Sequence, residues 1–409
     1  MIMSWHYLYL AYIKASGFTQ DIFREILHKS YAPAYGIDHF ENFNYRWFSV
    51  LIVFYSVIFL WYKKINAIAF IYLLLIGFMV LLAATEPNRL FGNVAHFGTY
   101  MEDYEKFRSP LHLIENYVNL QPTLSVHGAH YPPGNLFLLK FFGGNIGYKI
   151  FLAFVLILSF TLFYILSNKD KDALKVLLFI PAFMIYPSLD FVVISLFFFL
   201  FILLLDRINT QWSFLLMGIL FYSWSFFSFI SFIGLVYLIF HRLVSFKKLD
   251  FQREIVLCFN VILGFLMLFL GFKLQFNFDL VSCFFQSLEH NVSINSSPFD
   301  NPIRYLFRST GNFFSFLIGA GVFAGLLFVK CKNAQADTHR KTLLLTLIVL
   351  SFSGLFYLET DRVWFCFLPI LAWISALFLA ELSTFFRTIL LFLAALFLVF
   401  IEIRIQLYV

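Results

Sequence analysis

Long runs of consecutive apolar residues constrain this chain more than any other feature of its sequence. The stretch from Ser195 to Leu205, SLFFFLFILLL, has no polar face at all, and a helix that is apolar all round is typical of a lipid or deep-core environment. The whole chain is 61% hydrophobic and 13% charged, whereas soluble proteins have roughly 45–50% apolar and about 25% charged residues. The sequence therefore predicts an all-α polytopic membrane protein.

About 20 apolar residues are needed to cross the hydrocarbon core of a bilayer. Read with that length, the chain contains about 11 predicted transmembrane helices, and a last run gives a possible twelfth. The predicted spans are Phe48 to Trp61, Ala67 to Ala84, Ile146 to Leu166, Leu174 to Tyr186, Phe191 to Leu205, Trp212 to Phe226, Phe227 to Phe240, Ile255 to Phe272, Phe313 to Val329, Leu343 to Leu358, Val363 to Leu379 and Thr388 to Ile401.

The basic residues favour one orientation of these spans. The net charge is +6, but the lysines and arginines cluster in short loops between apolar runs, which favours cytoplasmic loops over a nucleic-acid partner. The opposite, outer side then receives a long first loop, 85–145, and a second loop, 273–312. The four cysteines form no CxxC pair, so neither a metal site nor a disulfide framework is indicated.

Two segments outside the spans are predicted to be amphipathic. Residues 1–47 form an N-terminal interfacial segment, and 48–409 form a single transmembrane domain. In the first outer loop, Ser109 is placed as a helix N-cap and Pro110 as the first helical residue. Leu111, Ile114 and Val118 then recur at helical spacing, which predicts a helix lying on the membrane surface.

Glu86 ends the second span, at the junction between a helix and the outer surface. A carboxylate in that position can have a raised pKa and a fixed direction, both of which suit a general base. The simpler alternative is an interfacial acid that marks the helix end. Arg89, three residues later, is a candidate for anion binding or for a salt bridge with Glu86.

A run of acids follows in the same loop: Glu102, Asp103 and Glu105. Such acids can bind a divalent metal or activate an acceptor, but no spaced histidine supports a metal site here. The alternative interpretation is a solvated loop face.

The stretch HGAHYPPG, His127 to Gly134, is the most unusual part of the outer loop. Its consecutive prolines cannot continue a helix, so the chain must turn. Histidines held on a rigid turn can donate to a phosphate or move protons near neutral pH. His127, His130 and Tyr131 are therefore candidate substrate-binding residues, and the alternative is interfacial side chains beside a structural turn.

Two further outer positions carry charge. Asp190 follows IYPSL and is either an N-cap of the next span or a substrate-binding acid. Glu359, Asp361 and Arg362 lie in a short turn between two spans, and Glu359 is a candidate substrate-binding acid. Arg362 is a candidate for binding a phosphate through two parallel N–H donors. The alternatives, a salt bridge with Glu359 or a side chain that snorkels to the membrane surface, do not exclude that role.

In their order along the chain, these features resemble the GT-C superfamily of integral-membrane glycosyltransferases. HGAHYPPGNL is similar to the His-Pro-Pro-Gly element of a mannosyltransferase-like branch, with Tyr131 inserted, and ETDRVWFCFLP is similar to a Glu-x-x-Arg-x-Trp segment of the same branch. Glu86 stands where the family has its catalytic acid, which is more often aspartate. The likeness in architecture extends over most of the chain from about residue 48, whereas the motifs cover only some two dozen positions.

The resemblance implies an inverting transfer from a polyprenyl-phosphate sugar to a glycan, lipid or protein acceptor. Glu86 would deprotonate the acceptor, and Arg362, with His130 or Arg89, would stabilise the departing phosphate. A divalent cation, Mg²⁺ or Mn²⁺, is used by some members of the superfamily and not by others. The resemblance also implies an active site at the outer membrane face. Because no eukaryotic retention signal is apparent, the sequence favours a bacterial inner membrane with that site facing the periplasm or exterior.

Two other classes remain open on the sequence. An oligosaccharide polymerase or ligase also has about a dozen spans and a large outer loop, and it would depend on outer arginines and histidines but not on Glu86. A lipid or oligosaccharide transporter would usually show internal repeats and charges near the bilayer midplane. No repeat is evident in this sequence.

Overall fold

The computed structural model describes residues 97–167, 171–178, 180, 189–206, 211–245, 251–294, 302–353 and 367–404. In this part of the chain the regular structure is helical and contains no strand, which confirms the predicted all-α class. The α-helices are α1 (Phe97–Tyr104), α2 (Pro110–Leu120), α3 (Val126–His130), α4 (Gly134–Phe141), α5 (Asn145–Leu166), α6 (Lys171–Leu178), α7 (Leu189–Asp206), α8 (Gln211–Phe227), α9 (Ser231–Val244), α10 (Phe251–Phe276), α11 (Leu280–Ile294), α12 (Pro302–Ala320), α13 (Ala334–Ser351), α14 (Leu368–Glu381) and α15 (Thr384–Arg404). Short 3-10 segments, Gln121–Thr123 and Gly321–Phe328, follow α2 and α12.

The described parts of the predicted spans are mostly helical, but several boundaries differ: residues 180, 228–230, 329 and 352–353 fall outside the helices. The predicted second outer loop, 273–312, is mostly helix, because it contains the end of α10, all of α11 and the first half of α12. The span predicted from Phe313 to Val329 changes at Gly321 from an α-helix to a 3-10 helix. Gly321 has a φ of 65°, a conformation that glycine adopts at little cost and that interrupts a regular helix. The predictions for residues 1–47 and for the first two spans lie outside the described residues.

Among the described residues, one stretch is long and apolar enough to cross a membrane by length and composition, Glu254–Phe276 in α10. Most of its side chains are not buried in the protein. The large apolar side chains exposed along it are Ile255, Val256, Phe259, Ile262, Leu263, Leu266, Met267, Leu270 and Leu274. Shorter apolar helices lie in α5, α7, α8, α9, α14 and α15.

The chain divides into two compact units, each assembled from separate stretches of sequence. The first contains the described residues of 163–187 and 296–409, and the second contains those of 93–162 and 188–295. That residues 48–409 form one transmembrane domain stays a prediction.

The core of the first unit is held by α13 and α14. The His339 ring meets the Trp373 ring edge-on at 4.7 Å, and the Trp373 indole N–H donates to the Leu166 carbonyl over 3.2 Å. At the start of α13, Arg340 donates through Nε and Nη2 to Asp337 Oδ1 and through Nη1 to the Leu327 carbonyl. Because these groups satisfy one another, a charged pair can lie almost buried against the 3-10 segment.

The core of the second unit is built on the crossing of α8 and α10. Gly218 and Gly264 face each other's backbones: a Cβ on Gly264 would lie under 3.0 Å from the Leu215 carbonyl oxygen, and a Cβ on Gly218 would meet the Val261 carbonyl equally closely. Small residues that let two helix backbones touch are typical of helix pairs in membranes. Beside the crossing, the buried Trp224 of α8 packs on aromatic rings of α7 and on Gly234 of α9.

Candidate functional site

The candidate site is the corner formed by residues 125–134 of the second unit, and α2 provides its floor. Ser109 caps α2, because its Oγ accepts from the His112 N–H over 3.1 Å, and Pro110 is the first helical residue. Both parts of this prediction are confirmed. The buried face differs from the predicted one: Leu113, Ile114 and Tyr117 are buried, and Leu111 is 50% exposed.

The corner itself consists of α3, a three-residue turn and α4. Helix α3 ends at His130, and α4 begins at Gly134 after two prolines, so the predicted break at this corner is confirmed. Gly134 is required where α4 meets the end of α8, because a Cβ there would lie under 3.0 Å from the Phe226 carbonyl oxygen. The corner is thereby seated directly on an apolar helix.

Tyr117 and Gln121 hold the end of α3. The Tyr117 hydroxyl lies 2.6 Å from the carbonyl oxygens of Gly128 and Tyr131, and its one hydrogen is shared between them. The Gln121 amide donates to the Ala129 carbonyl over 2.9 Å. Carbonyls at the C-terminal end of a helix have no partner within it, so these two side chains, four residues apart, donate to carbonyls that the corner would otherwise leave unpaired. Burial raises the pKa of Tyr117 well above its usual value, which keeps this hydroxyl a donor.

Asp103 holds the beginning of α3. Its side chain is fully buried and accepts hydrogen bonds from the Ser125 N–H, the Ser125 hydroxyl and Lys106 Nζ, at 2.9, 2.6 and 2.8 Å. Gly128 must lack a side chain here, because a Cβ would collide with Asp103 Oδ2. The expectation of a solvated acid is therefore wrong for Asp103, and a substrate would have to displace these donors to reach it.

A helix of the predicted second outer loop joins the corner. The Gln121 amide also donates to Ser287 Oγ over 2.8 Å and to the Cys283 carbonyl over 3.2 Å, and Ser287 Oγ lies 3.4 Å from the Ala129 carbonyl. Burial raises the pKa of the Cys283 thiol, so this cysteine packs as an uncharged group. The sequence motifs did not indicate Tyr117, Gln121 or Ser287, and the one local signal was the four-residue spacing of Tyr117 and Gln121, which is about one helical turn.

The predicted corner residues occupy adjacent parts of this structure. His127 and His130 lie three positions apart in α3, and the side chains of His130 and Tyr131 are half-buried. Asp190 is the second residue of α7, so it lies within the first turn and is not the N-cap that the sequence suggested.

The other predicted site residues cannot be placed against this corner. Glu86, Arg89, Glu359 and Arg362 lie outside the described residues. Within the described ranges, no group of three or more histidine, cysteine, aspartate or glutamate side chains is arranged to hold a metal ion. Of the acidic run, Glu102 and Glu105 are exposed while Asp103 is buried, so the three carboxylates do not converge.

Comparison with known proteins gave no match of this sequence to a family model and no significant match to a curated protein or a solved structure.

Proposed function

We propose that the protein is a polytopic membrane glycosyltransferase that moves a sugar from a polyprenyl-phosphate donor to an acceptor at the outer face of a bacterial inner membrane. The observation that carries the proposal is the corner at 125–134, where a buried hydrogen-bonded network fixes a histidine-bearing turn on apolar helices. A binding group on this turn would be held in a fixed backbone position, as a preorganised phosphate-binding site requires.

The exposed apolar faces support the membrane location. Besides α10, helix α15 exposes Phe385, Phe386, Ile389, Phe392, Leu393 and Leu396. Extended exposed apolar faces are uncommon on soluble monomers, so these faces favour contact with lipid. The close contact of α8 and α10 at Gly218 and Gly264 is a second, independent feature of helix packing in lipid.

The support for sugar transfer lies in the residue types and in the preorganisation of the corner. In the proposed reaction Glu86 takes the proton of an acceptor hydroxyl, whose oxygen then bonds to the anomeric carbon. The bond between that carbon and the phosphate oxygen breaks, and the lipid phosphate leaves with the electron pair. Arg362, with His130 or Arg89, stabilises the charge that develops on the phosphate.

The network at the corner supplies one requirement of this mechanism. A phosphate-binding group lowers the barrier most when it is already in position and needs no reorganisation. Asp103 fixes the first turn of α3 and Tyr117 fixes its last carbonyls, so the backbone that carries His127 and His130 is held at both ends. We therefore assign Asp103 to support of the corner and not to contact with substrate.

The proposal is tested with membranes that contain the protein and matched membranes that lack it. Each is supplied with a panel of radiolabelled polyprenyl-phosphate sugars, and transfer to endogenous lipid, glycan and protein fractions is counted. The proposal predicts a labelled product that requires the protein and consumes one donor of the panel. Products that grow only by whole oligosaccharide units would instead indicate the polymerase or ligase class.

A further inference from the structure

Helix α11 follows α10, which among the described residues holds the one stretch long and apolar enough to cross a membrane. Three residues separate the end of α10 from Leu280. Asn277 adopts a φ of 54°, and Asp279 caps α11 by accepting from the N–H groups of Val281 and Ser282. Lys273, in the last turn of α10, donates to Asp279 over 2.8 Å, so a charged pair marks this junction.

The side chains of α11 separate into three sectors. Each residue turns the helix by about 100°. One sector is buried in the protein: Leu280, Cys283 and Ser287. A second sector, centred about 130° away, exposes large apolar side chains; these are Val281, Phe285 and Leu288.

The third sector of α11 is polar and lies roughly a further 80° round the helix. Ser282 is partly exposed there, and Glu289 is exposed. A helix with one face against protein, one apolar face and one polar face is arranged for a boundary between hydrocarbon and water. A soluble surface helix would expose polar side chains in both of its open sectors.

The apolar sector of α11 is continuous with the exposed apolar face of α9. Phe284 packs on Phe229 and Phe232, with ring centroids 5.2 and 5.0 Å apart. From Phe232 the exposed face runs along α9 through Leu235, Ile239 and Leu243. One apolar surface therefore extends from the side of a proposed membrane helix onto α11.

We propose that α11 is an interfacial membrane-binding helix: Val281, Phe285 and Leu288 insert into the outer edge of the bilayer, while Ser282 and Glu289 face water. Its partner is the lipid bilayer. Because Ser287 and the Cys283 carbonyl bind Gln121, the inserted helix also fixes the height of the corner above the lipid. The inference rests on the proposed membrane location.

The test uses spin labels on single cysteines in the full-length protein in lipid bilayers. Cys258 and Cys366 are replaced by serine, and the buried Cys283 and Cys331 are kept. Labels are then attached to Val281→Cys and Ser282→Cys, and to Leu288→Cys and Glu289→Cys. Each pair consists of neighbours, so its members differ mainly in the direction they face.

The expected result is an alternation in the ratio of collisions with oxygen to collisions with a water-soluble nickel chelate. The ratio should be several-fold higher at 281 and 288 than at 282 and 289. High ratios at all four positions would place the helix inside the bilayer, and low ratios at all four would place it in water. Either result overturns the inference.

A reference position separates this inference from the proposed membrane location. A label on the native Cys258, which is exposed on α10, should report oxygen-rich surroundings. A low ratio at Cys258 would refute the membrane location itself, whereas a high ratio at Cys258 with low ratios on α11 would refute only the inference. If a cysteine variant fails to fold, Phe285→Trp gives a second reading: lipids brominated near the headgroup should quench the added fluorescence, and an unquenched residue overturns the proposal.

Discussion

The contact between α8 and α10 predicts opposite effects on stability for alanine substitutions at two glycines of α10, Gly264 and Gly271. An alanine Cβ at Gly264 would lie under 3.0 Å from the Leu215 carbonyl oxygen and 3.1 Å from the Ile219 nitrogen, while ordinary contact begins at 3.4 Å. Neither neighbour can rotate away, because both are backbone atoms of a helix. Gly264→Ala therefore requires the two helices to move apart along the crossing.

The magnitude follows from two opposing terms. Overpacking of a close contact costs about 1–3 kcal/mol, and replacing a helical glycine by alanine recovers at most about 1 kcal/mol. Because the neighbours are rigid backbone atoms, the overpacking cost lies in the upper part of that range, about 2–3 kcal/mol, so after a gain of about 1 kcal/mol we expect Gly264→Ala to lower the free energy of unfolding by about 1–2 kcal/mol. At about 2–4 °C per kcal/mol, the melting temperature should fall by roughly 2–8 °C.

Gly271 provides the matched control in the same helix. A Cβ there meets nothing within 4 Å, so Gly271→Ala keeps only the helix-propensity gain of about 0.5–1 kcal/mol. The assay is thermal unfolding of the purified variants, followed by the loss of the monodisperse peak in size-exclusion chromatography. Equal destabilisation by both substitutions, or no loss with Gly264→Ala, would refute the backbone contact.

Three further predictions concern the described side chains. Asp103→Ala should lower the free energy of unfolding by about 2–3 kcal/mol, because it leaves the Ser125 N–H without an acceptor. Asp103→Asn keeps an acceptor and should retain both stability and transfer. Loss of transfer by a stable Asp103→Asn would show that the carboxylate contacts substrate. Tyr117→Phe leaves two carbonyls without their hydroxyl and should cost about 1–3 kcal/mol in thermal unfolding, while Tyr104→Phe, which keeps the ring under Lys140, should match the wild type. Burial alone would raise the pKa of Asp337, but hydrogen bonds from Lys341 and Arg340 and the charges of both lower it. The stability that Asp337 contributes is therefore present above the unfolded pKa of about 3.9 and is lost as the pH falls through the lower folded pKa. Asp337→Asn should accordingly flatten the fall in melting temperature below about pH 4.

Local patterns in the sequence predicted the local structure well. Ser109 and Pro110 were predicted as the start of a helix, and the consecutive prolines after Tyr131 as its interruption, because capping and proline act on the few residues around them. The apolar runs likewise predicted helices, although the crossing of a membrane stays a prediction for each of them.

Contacts between distant residues could not be read in this way. The Gln121 amide binds Ser287, which is 166 positions away, and nothing in the local spacing of either helix specifies that partner. Asp103 looked like one of three solvated acids, because a sequence pattern does not show which acid lies opposite the Ser125 backbone. The candidate site was therefore located by sequence, but its supporting network required the structure.

The central claim is that the protein transfers sugar from a lipid phosphate with Glu86 as the base. The most direct measurement compares initial rates of transfer for wild type, Glu86→Gln and the control Glu102→Gln in membranes with equal protein. Loss of a general base reduces the rate by about 10²–10⁴-fold, so the account predicts that Glu86→Gln is almost inactive and that Glu102→Gln, at an exposed position, matches the wild type. Undiminished transfer by Glu86→Gln would contradict the account and favour an oligosaccharide polymerase or ligase.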